Sequence, residues 1–200
     1  MADRERPAIR PATLHDRAAI AAMLGRAFAD DPAMTYIFPG PADRAKRLPR
    51  LFALLFDSDG PVGMRLVAAG VEGATLWRGP GRSKTGVWEM MRHAPAMASS
   101  LGGSIGRALT VANAIDAHHP SSDFWYLHVA GCDPEHQGKG IGGALIRDGL
   151  ARANGLSCYL ETATERNLGL YRSLGFEVTG DWRVPRGGPR FWSMVRPSNQ

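Results

Sequence analysis

Cysteine is almost missing from this 200-residue chain, which has only Cys132 and Cys158. Two isolated thiols, each within strand-like sequence, make neither a disulfide framework nor a zinc ligand set. No metal is therefore expected, and a reducing cytoplasm is the expected setting. The opening residues, MADRERPAIRPAT, are charged and lack an apolar stretch, so no secretory leader is predicted. No apolar run approaches the roughly 20 residues that span a bilayer, which leaves the membrane out as a partner. A dense Lys/Arg run is also lacking. The formal charge of +5 rests almost wholly on scattered arginines. Without aromatic residues interleaved among them, nucleic acid is not an expected partner. The arginines suit a solvated surface, with a few serving a small polyanion. Repeats, low-complexity segments and linkers are absent too, so residues 1–200 are expected to form one domain, large enough to bury a core.

The patterns that are present alternate between strand and helix. AIRPAT predicts a first strand. Apolar residues at helical spacing follow in TLHDRAAIAAMLGRAFAD, where Thr13 and Asp16 suit a capping box. DPAMTYIFPGP is bounded by proline and predicts an irregular segment or a short turn of helix. Helical spacing resumes in ADRAKRLPRLFALLFDSDG, with a kink expected at Pro49. MRLVAAG and VEGATLWRG predict strands joined by a tight turn, and PGRSKTG a loop. Two further helices, VWEMMRHAPAMASSL and SIGRALTVANAIDAHH, precede the strongest strand, DFWYLHVAGC. Helix IGGALIRDGLARANG, strand SCYLET, the short helix NLGLYRSLG and strands FEVTGDWRV and RFWSMVRP complete the chain. This order predicts a mixed α/β domain with at least one parallel crossover.

One stretch asks for a ligand. DPEHQGKGIGGALI places Gly138, Gly140, Gly142 and Gly143 within six positions at the head of a helix. Gly138, Gly140 and Gly143 also satisfy G-x-G-x-x-G, with Glu161 about where a ribose-binding acid would lie. A dinucleotide fold nevertheless does not fit. CDPEHQ intervenes between strand and glycines, and fewer than 60 residues follow Gly143, too few for a second half-sheet. The better description is Gln137-Gly138-Lys139-Gly140-Ile141-Gly142, a Q-x-x-G-x-G element between strand and helix. Its bare backbone offers N–H groups at the positive end of a helix dipole, which suits a pyrophosphate. Gly140 and Gly142 admit a ligand where a Cβ would collide.

From Trp125 to Val178, WYLHVAGCDPEHQGKGIGGAL…CYLETATERNLGLYRSLGFEV resembles the core of the GNAT N-acetyltransferase superfamily. Behind the glycine loop, NLGLYRSLGF is similar to that family's N-x-x-x-Y-x-x-x-G-F element. YLETATERN, LYRSLGF, HQGKG and VPRGGPRFW are similar to the puromycin N-acetyltransferases within it. The resemblance implies a GNAT-type domain with a mixed central sheet of about six to seven strands, splayed at an acetyl-CoA site near residues 123–180 and flanked by helices. It implies acetyl transfer from acetyl-CoA to the amine of a small molecule, aminonucleoside- or antibiotic-like, with no covalent enzyme intermediate. The alternatives are a protein-directed acetylase and a non-catalytic module that binds coenzyme A.

On the same resemblance, Ala130 and Cys132 would pair their backbone with the pantetheine arm, with a bulge at Gly131 beside them. Residues Gln137, Gly138, Lys139, Gly140, Ile141 and Gly142 would hold the pyrophosphate, and Asn167 would contact the pantetheine. Tyr171 matches the family tyrosine near the coenzyme sulfur. A phenol near pKa 10 is a weaker acid than a thiol near 8.5, so full proton transfer would be uphill by about 2 kcal/mol. Tyr171 is therefore expected to stabilise the departing thiolate by a hydrogen bond, or to have a lowered pKa. The attacking amine must lose a proton, and Glu161 at the end of CYLET is the first candidate base. His128 is the second, by its reference pKa, and strand alternation groups it with Tyr126 and Ala130. Asp31 would attract a cationic amine, with Met34, Tyr36 and Phe38 either as an apolar wall or as core. His118 and His119 are expected in the loop before the strand, with no metal constellation. RFWSMVRP and a Trp-rich end could pair two chains or simply close the sheet, leaving a monomer or a homodimer.

Overall fold

A computed structural model describes the backbone of residues 7–83 and 87–198, and their side chains apart from 87–93. The expected loop PGRSKTG thus lies partly outside the described residues. A single α/β domain is built on one seven-stranded mixed sheet, ordered β1-β2-β3-β4-β5-β7-β6. The strands are β1 (Ile9–Pro11), β2 (Gly63–Ala68), β3 (Gly73–Arg78), β4 (Trp125–Cys132), β5 (Cys158–Thr162), β6 (Glu177–Arg183) and β7 (Arg190–Arg196). Every neighbouring pair is antiparallel except β4 and β5. That one parallel joint follows from the helix between the two strands, as a crossover requires.

The helices are α1 (Arg17–Ala27), α2 (Pro32–Ile37), α3 (Pro41–Asp59), α4 (Val87–Leu101), α5 (Ile105–Asp116), α6 (Ile141–Arg152) and α7 (Leu168–Ser173). One face of the sheet carries α1, α2 and α3, where Ile20, Leu24, Phe38, Phe52 and Phe56 pack on Val67, Leu76 and Val129. On the other, α6 and α7 cover Trp77, Leu127, Leu160 and Met194 with Ile146, Leu150, Leu168 and Tyr171. Each large apolar side chain taken from water here contributes about 1.5–3 kcal/mol. Phe38 is fully buried, so of the three residues weighed as a pocket wall it is core, while Met34 and Tyr36 are partly covered.

Local sequence explains several joints. The Asp16 carboxylate accepts the Thr13 N–H at 2.8 Å and its hydroxyl at 3.0 Å, but the turn so closed is a short 3-10 turn leading into α1. Pro49 lies inside α3, which the chain continues on both sides. Its ring sits 3.0 Å from where a Cβ on Gly25 would be, so the missing side chain lets α1 seat on α3.

Two expectations change, and one open alternative is decided. The register of β3 with β4 runs evenly from Gly73–Cys132 to Leu76–Val129 and then resumes at Trp77–Leu127. The bulge residue is therefore His128, not Gly131. Gly131 is bare because α1 crosses it closely, and a Cβ would fall 2.4 Å from Leu24 Cδ2. Through the bulge Val129 joins the α1–α3 core while Ala130 packs on the α6–α7 side, so alternation does not keep Ala130 with Tyr126 and His128. Finally, β7 lies between β5 and β6, and Trp182 and Trp192 are buried. RFWSMVRP closes the sheet; its hydrogen-bonding edges are both occupied, so it offers no edge to a second chain. No helix among the described residues is long and apolar enough to cross a membrane.

Candidate active site

Two strands that pair only briefly create the opening. β4 and β5 are joined at Trp125–Cys158 and Tyr126–Tyr159, and beyond Tyr126 the rest of β4 is paired only with β3. The chain leaves β4 through Asp133, whose carboxylate accepts the Glu135 N–H at 3.1 Å and pairs with Arg26 of α1. Pro134 then starts a 3-10 turn, and the glycine loop runs into α6. Gly138 and Gly140 have φ of 77° and 82°, a left-handed conformation that strains any other L-residue except in special settings. A Cβ on Gly138, Gly140 or Gly142 would meet no protein atom within 4 Å, so the loop faces open space. Ile141 points the other way, into a small core with Leu66 and Leu145. Of Ile141, only the backbone faces the loop. Lys139 is exposed, and the Gln137 amide reaches back to the Cys132 carbonyl at 3.4 Å.

Past the end of β5, Asn167 stands at the N-cap position just before α7, but its side chain makes no capping hydrogen bond. Tyr171, one turn on, is buried, and its hydroxyl has no hydrogen-bond partner among the described residues. Burial, with the carboxylates of Asp31 and Glu161 nearby, pushes Tyr171 up to about 12. The shift is upward, against the lowered pKa that is one of the two expectations for this residue.

Glu161 is enclosed. The Tyr126 hydroxyl donates to its Oε1, while Oε2 is buried with no hydrogen-bond partner among the described residues. Enclosure pushes the carboxyl up to about 7, although the Tyr126 hydrogen bond and the His128 ring pull it down. The bulge residue His128 stacks on Tyr126, ring centres 5.1 Å apart, and turns Nδ1 to Asp59 Oδ2 at 2.8 Å. Asp59 ends α3, is fully buried, and accepts from Arg78 of β3 at 2.9 Å. Burial alone would lower His128; the Asp59 carboxylate outweighs it, and the net shift is upward.

Asp31 caps α2, its Oδ1 accepting from Ala33 N at 2.9 Å and Met34 N at 3.1 Å, while Thr164 of the β5–α7 loop reaches Oδ2 at 3.4 Å. Burial pushes its pKa up against those three donors. Tyr36 on the same helix points its hydroxyl to the Pro185 carbonyl of the β6–β7 hairpin at 3.4 Å. His118 and His119 follow α5 as expected, with His118 stacked on Trp182 at 4.0 Å.

The structure thus brings Glu161, Tyr171 and Asp31 into one electrostatic neighbourhood beside the strand opening. Asp59, Arg78 and Tyr126 belong to it and were not singled out by sequence, because none lies in a motif. An open concavity of about 650 Å³ lies elsewhere, between the C-terminal ends of α6 and α7, and contains none of these residues. It lacks the glycine loop and every candidate acid or base, so it offers no chemistry for the reaction.

Residues 99–178 match the family model of the acetyltransferase (GNAT) domain. N-alpha-acetyltransferase RimI of Mycobacterium tuberculosis is 46% identical over 56 residues, which span 27% of this chain and 35% of that protein. A structure of histone acetyltransferase HPA2 and related acetyltransferase from Corynebacterium glutamicum superposes with a TM-score of 0.77 at 28% identity, covering 98% of each chain. The polyamine N-acetyltransferase of Drosophila melanogaster shares the fold, with a TM-score of 0.64 at 17% identity over 94% of this chain and 98% of that one. The similarity to GNAT acetyltransferases is carried by residues 99–178, less than half of the chain, and by the overall fold. These comparisons support the superfamily and do not bear on the narrower likeness to puromycin N-acetyltransferases.

Proposed function

We propose that this protein is an acetyl-CoA-dependent N-acetyltransferase that passes the acetyl group directly to the amine of a small molecule. The observation that carries the reading is Glu161 Oε2, buried with no hydrogen-bond partner among the described residues, at the end of β5 beside the strand opening. An orphaned carboxylate oxygen in that position is suited to receive the proton of an attacking amine. Acetyl-CoA fits the surroundings. The left-handed glycines and the open space above Gly138, Gly140 and Gly142 suit its pyrophosphate, with Gln137, Lys139 and Ile141 in the same loop. The part of β4 left unpaired by β5, around Ala130 and Cys132, suits the pantetheine amides, and the uncapped Asn167 amide suits its far end. Acetyl-CoA supplies an activated thioester; Tyr171 donates a hydrogen bond to the departing sulfur, and Glu161 holds the amine's proton.

A small acceptor is supported by the crowding of the substrate side, where Tyr36 meets the β6–β7 hairpin and Asp31 adds an acid close to Tyr171. Neighbours of the same fold include agmatine and polyamine acetyltransferases, in keeping with a small cationic amine. The likeness to RimI favours peptide acetylation as the second reading. Mass spectrometry of products separates the two, using acetyl-CoA with a pool of aminonucleosides, polyamines, agmatine and lysine- or N-terminal peptides. An acetylated small amine is expected; acetylated peptides alone would replace the reading with its rival.

The loop assignment has its own test. Gly142→Ala adds a Cβ into open space at an ordinary helical φ and improves helix propensity by up to about 1 kcal/mol. Stability should therefore hold or rise, while calorimetric affinity for acetyl-CoA is expected to fall at least about tenfold, the 1.4 kcal/mol of one displaced contact. Undiminished affinity would move the pyrophosphate elsewhere.

A further inference from the structure

Asp59 is placed at a cost that packing alone does not explain. It is the last residue of α3, where the negative end of the helix dipole opposes an anion, and it is fully buried. A carboxylate there persists only if it is compensated. Oδ1 accepts from Arg78, itself almost wholly buried, and from the Ser58 hydroxyl at 3.3 Å. The partner of Oδ2 is not structural in position: His128 is the bulge residue of β4, and the bulge is what turns its ring to Oδ2 at 2.8 Å and against Tyr126. Tyr126 in turn donates to Glu161. A continuous chain of contacting groups, Arg78–Asp59–His128–Tyr126–Glu161, with His128 and Glu161 half-buried and the rest buried, therefore runs from the interior of β3 to the candidate base.

We propose that Asp59 is a positioning residue, which holds His128 by Nδ1 and keeps on it the positive charge that faces Glu161, so that the proton acceptor of the reaction is a coupled Glu161–His128 pair. The proposal rests on Glu161 being the base, but the coupling itself can be measured without turnover. The groups that bear on Glu161 are Tyr126 and His128 of β4, Tyr159 of β5, Asp116 of α5 and Tyr171 of α7. Those bearing on His128 are Asp59 of α3, Arg78 of β3 and Glu161. Among these, His128 is the cation that favours the ionised carboxylate of Glu161; Arg78 is spent on Asp59. The two members titrate together, and their midpoints belong to the pair.

The experiment is an NMR titration of the full chain, following the His128 imidazole and the Glu161 side-chain carboxyl in the wild type, Asp59→Asn and His128→Gln. In the wild type His128 should keep its Nδ1 proton and titrate above a free histidine. Asp59→Asn should move the His128 midpoint down and the Glu161 midpoint up. His128→Gln leaves the Asp59–Arg78 pair intact, so it tests the coupling even if Asp59→Asn unfolds by exposing Arg78 as an uncompensated charge; it too should move Glu161 up. A Glu161 midpoint unmoved in His128→Gln would overturn the proposal. Loss of coupling and loss of the base role are told apart by Glu161→Gln. If that variant turns over normally while the carboxyl midpoint still shifts in His128→Gln, the coupling stands and the assignment of Glu161 as base falls.

Discussion

Replacing Glu161 by Gln is expected to lower kcat/KM by about 10²–10⁴-fold, the range that a positioned general base contributes. The isostere keeps an oxygen for the Tyr126 hydroxyl but cannot hold a proton taken from the amine. The pH dependence gives the sharper readout. With a carboxyl at about 7, the wild-type rate should climb as pH rises through 7 and level off above it, since the ionised form is the active one. That climb should vanish in Glu161→Gln. Stability should move the opposite way. An acid whose folded pKa lies above its unfolded value destabilises the fold progressively as pH rises between the two, here from about 4.5 to about 7. At pH 8 the variant should therefore be more stable than the wild type by up to about 3 kcal/mol, and at pH 4 by little. Denaturant titrations at the two pH values check it. A variant with full activity and no change in pH profile would remove Glu161 from the reaction.

Tyr171→Phe is the second large effect, a loss of about 10²–10³-fold in kcat with little change in acetyl-CoA affinity, as for removal of a single oxyanion donor. The hydroxyl has no partner among the described residues, so its removal leaves none of them unsatisfied and stability should change little. At about 12 the phenol stays protonated through the whole working range. Full proton transfer to a thiolate near 8.5 would then cost about 5 kcal/mol, against about 2 kcal/mol for an ordinary tyrosine. The donated hydrogen bond, not a transferred proton, is the contribution that remains. It follows that the rate should show no falling limb from Tyr171 below about pH 10. Rapid-mixing measurements of single turnovers, with binding followed separately by calorimetry, separate the two parameters. An unchanged rate would reduce Tyr171 to a packing residue between α7 and the sheet, where it already touches Phe176 at 6.2 Å between ring centres.

What was legible in the sequence is what local chemistry dictates. The seven strands and the helices between them follow from apolar period, proline and capping residues, so their order could be read directly. The glycine loop was legible because left-handed backbone at Gly138 and Gly140 leaves few other residues possible. Asn167 and Tyr171 were singled out by the likeness of NLGLYRSLGF to the GNAT motif, and spacing alone would not have chosen them. The bulge was not. A two-residue alternation holds for any strand in register, and only the pairing with β3 reveals that His128 is the extra residue. Nor could sequence choose between core and pocket for Phe38, because an apolar side chain serves either.

By itself, then, the sequence determined the elements, the glycine loop and the class of reaction those motifs resemble, since each depends on residues close together in the chain. The tertiary structure decided the electrostatics. Asp59 and His128 are 69 positions apart, and Tyr126 and Glu161 are 35 apart. Burial, which sets the charge state of every one of them, is a property of the closed fold and of no segment within it.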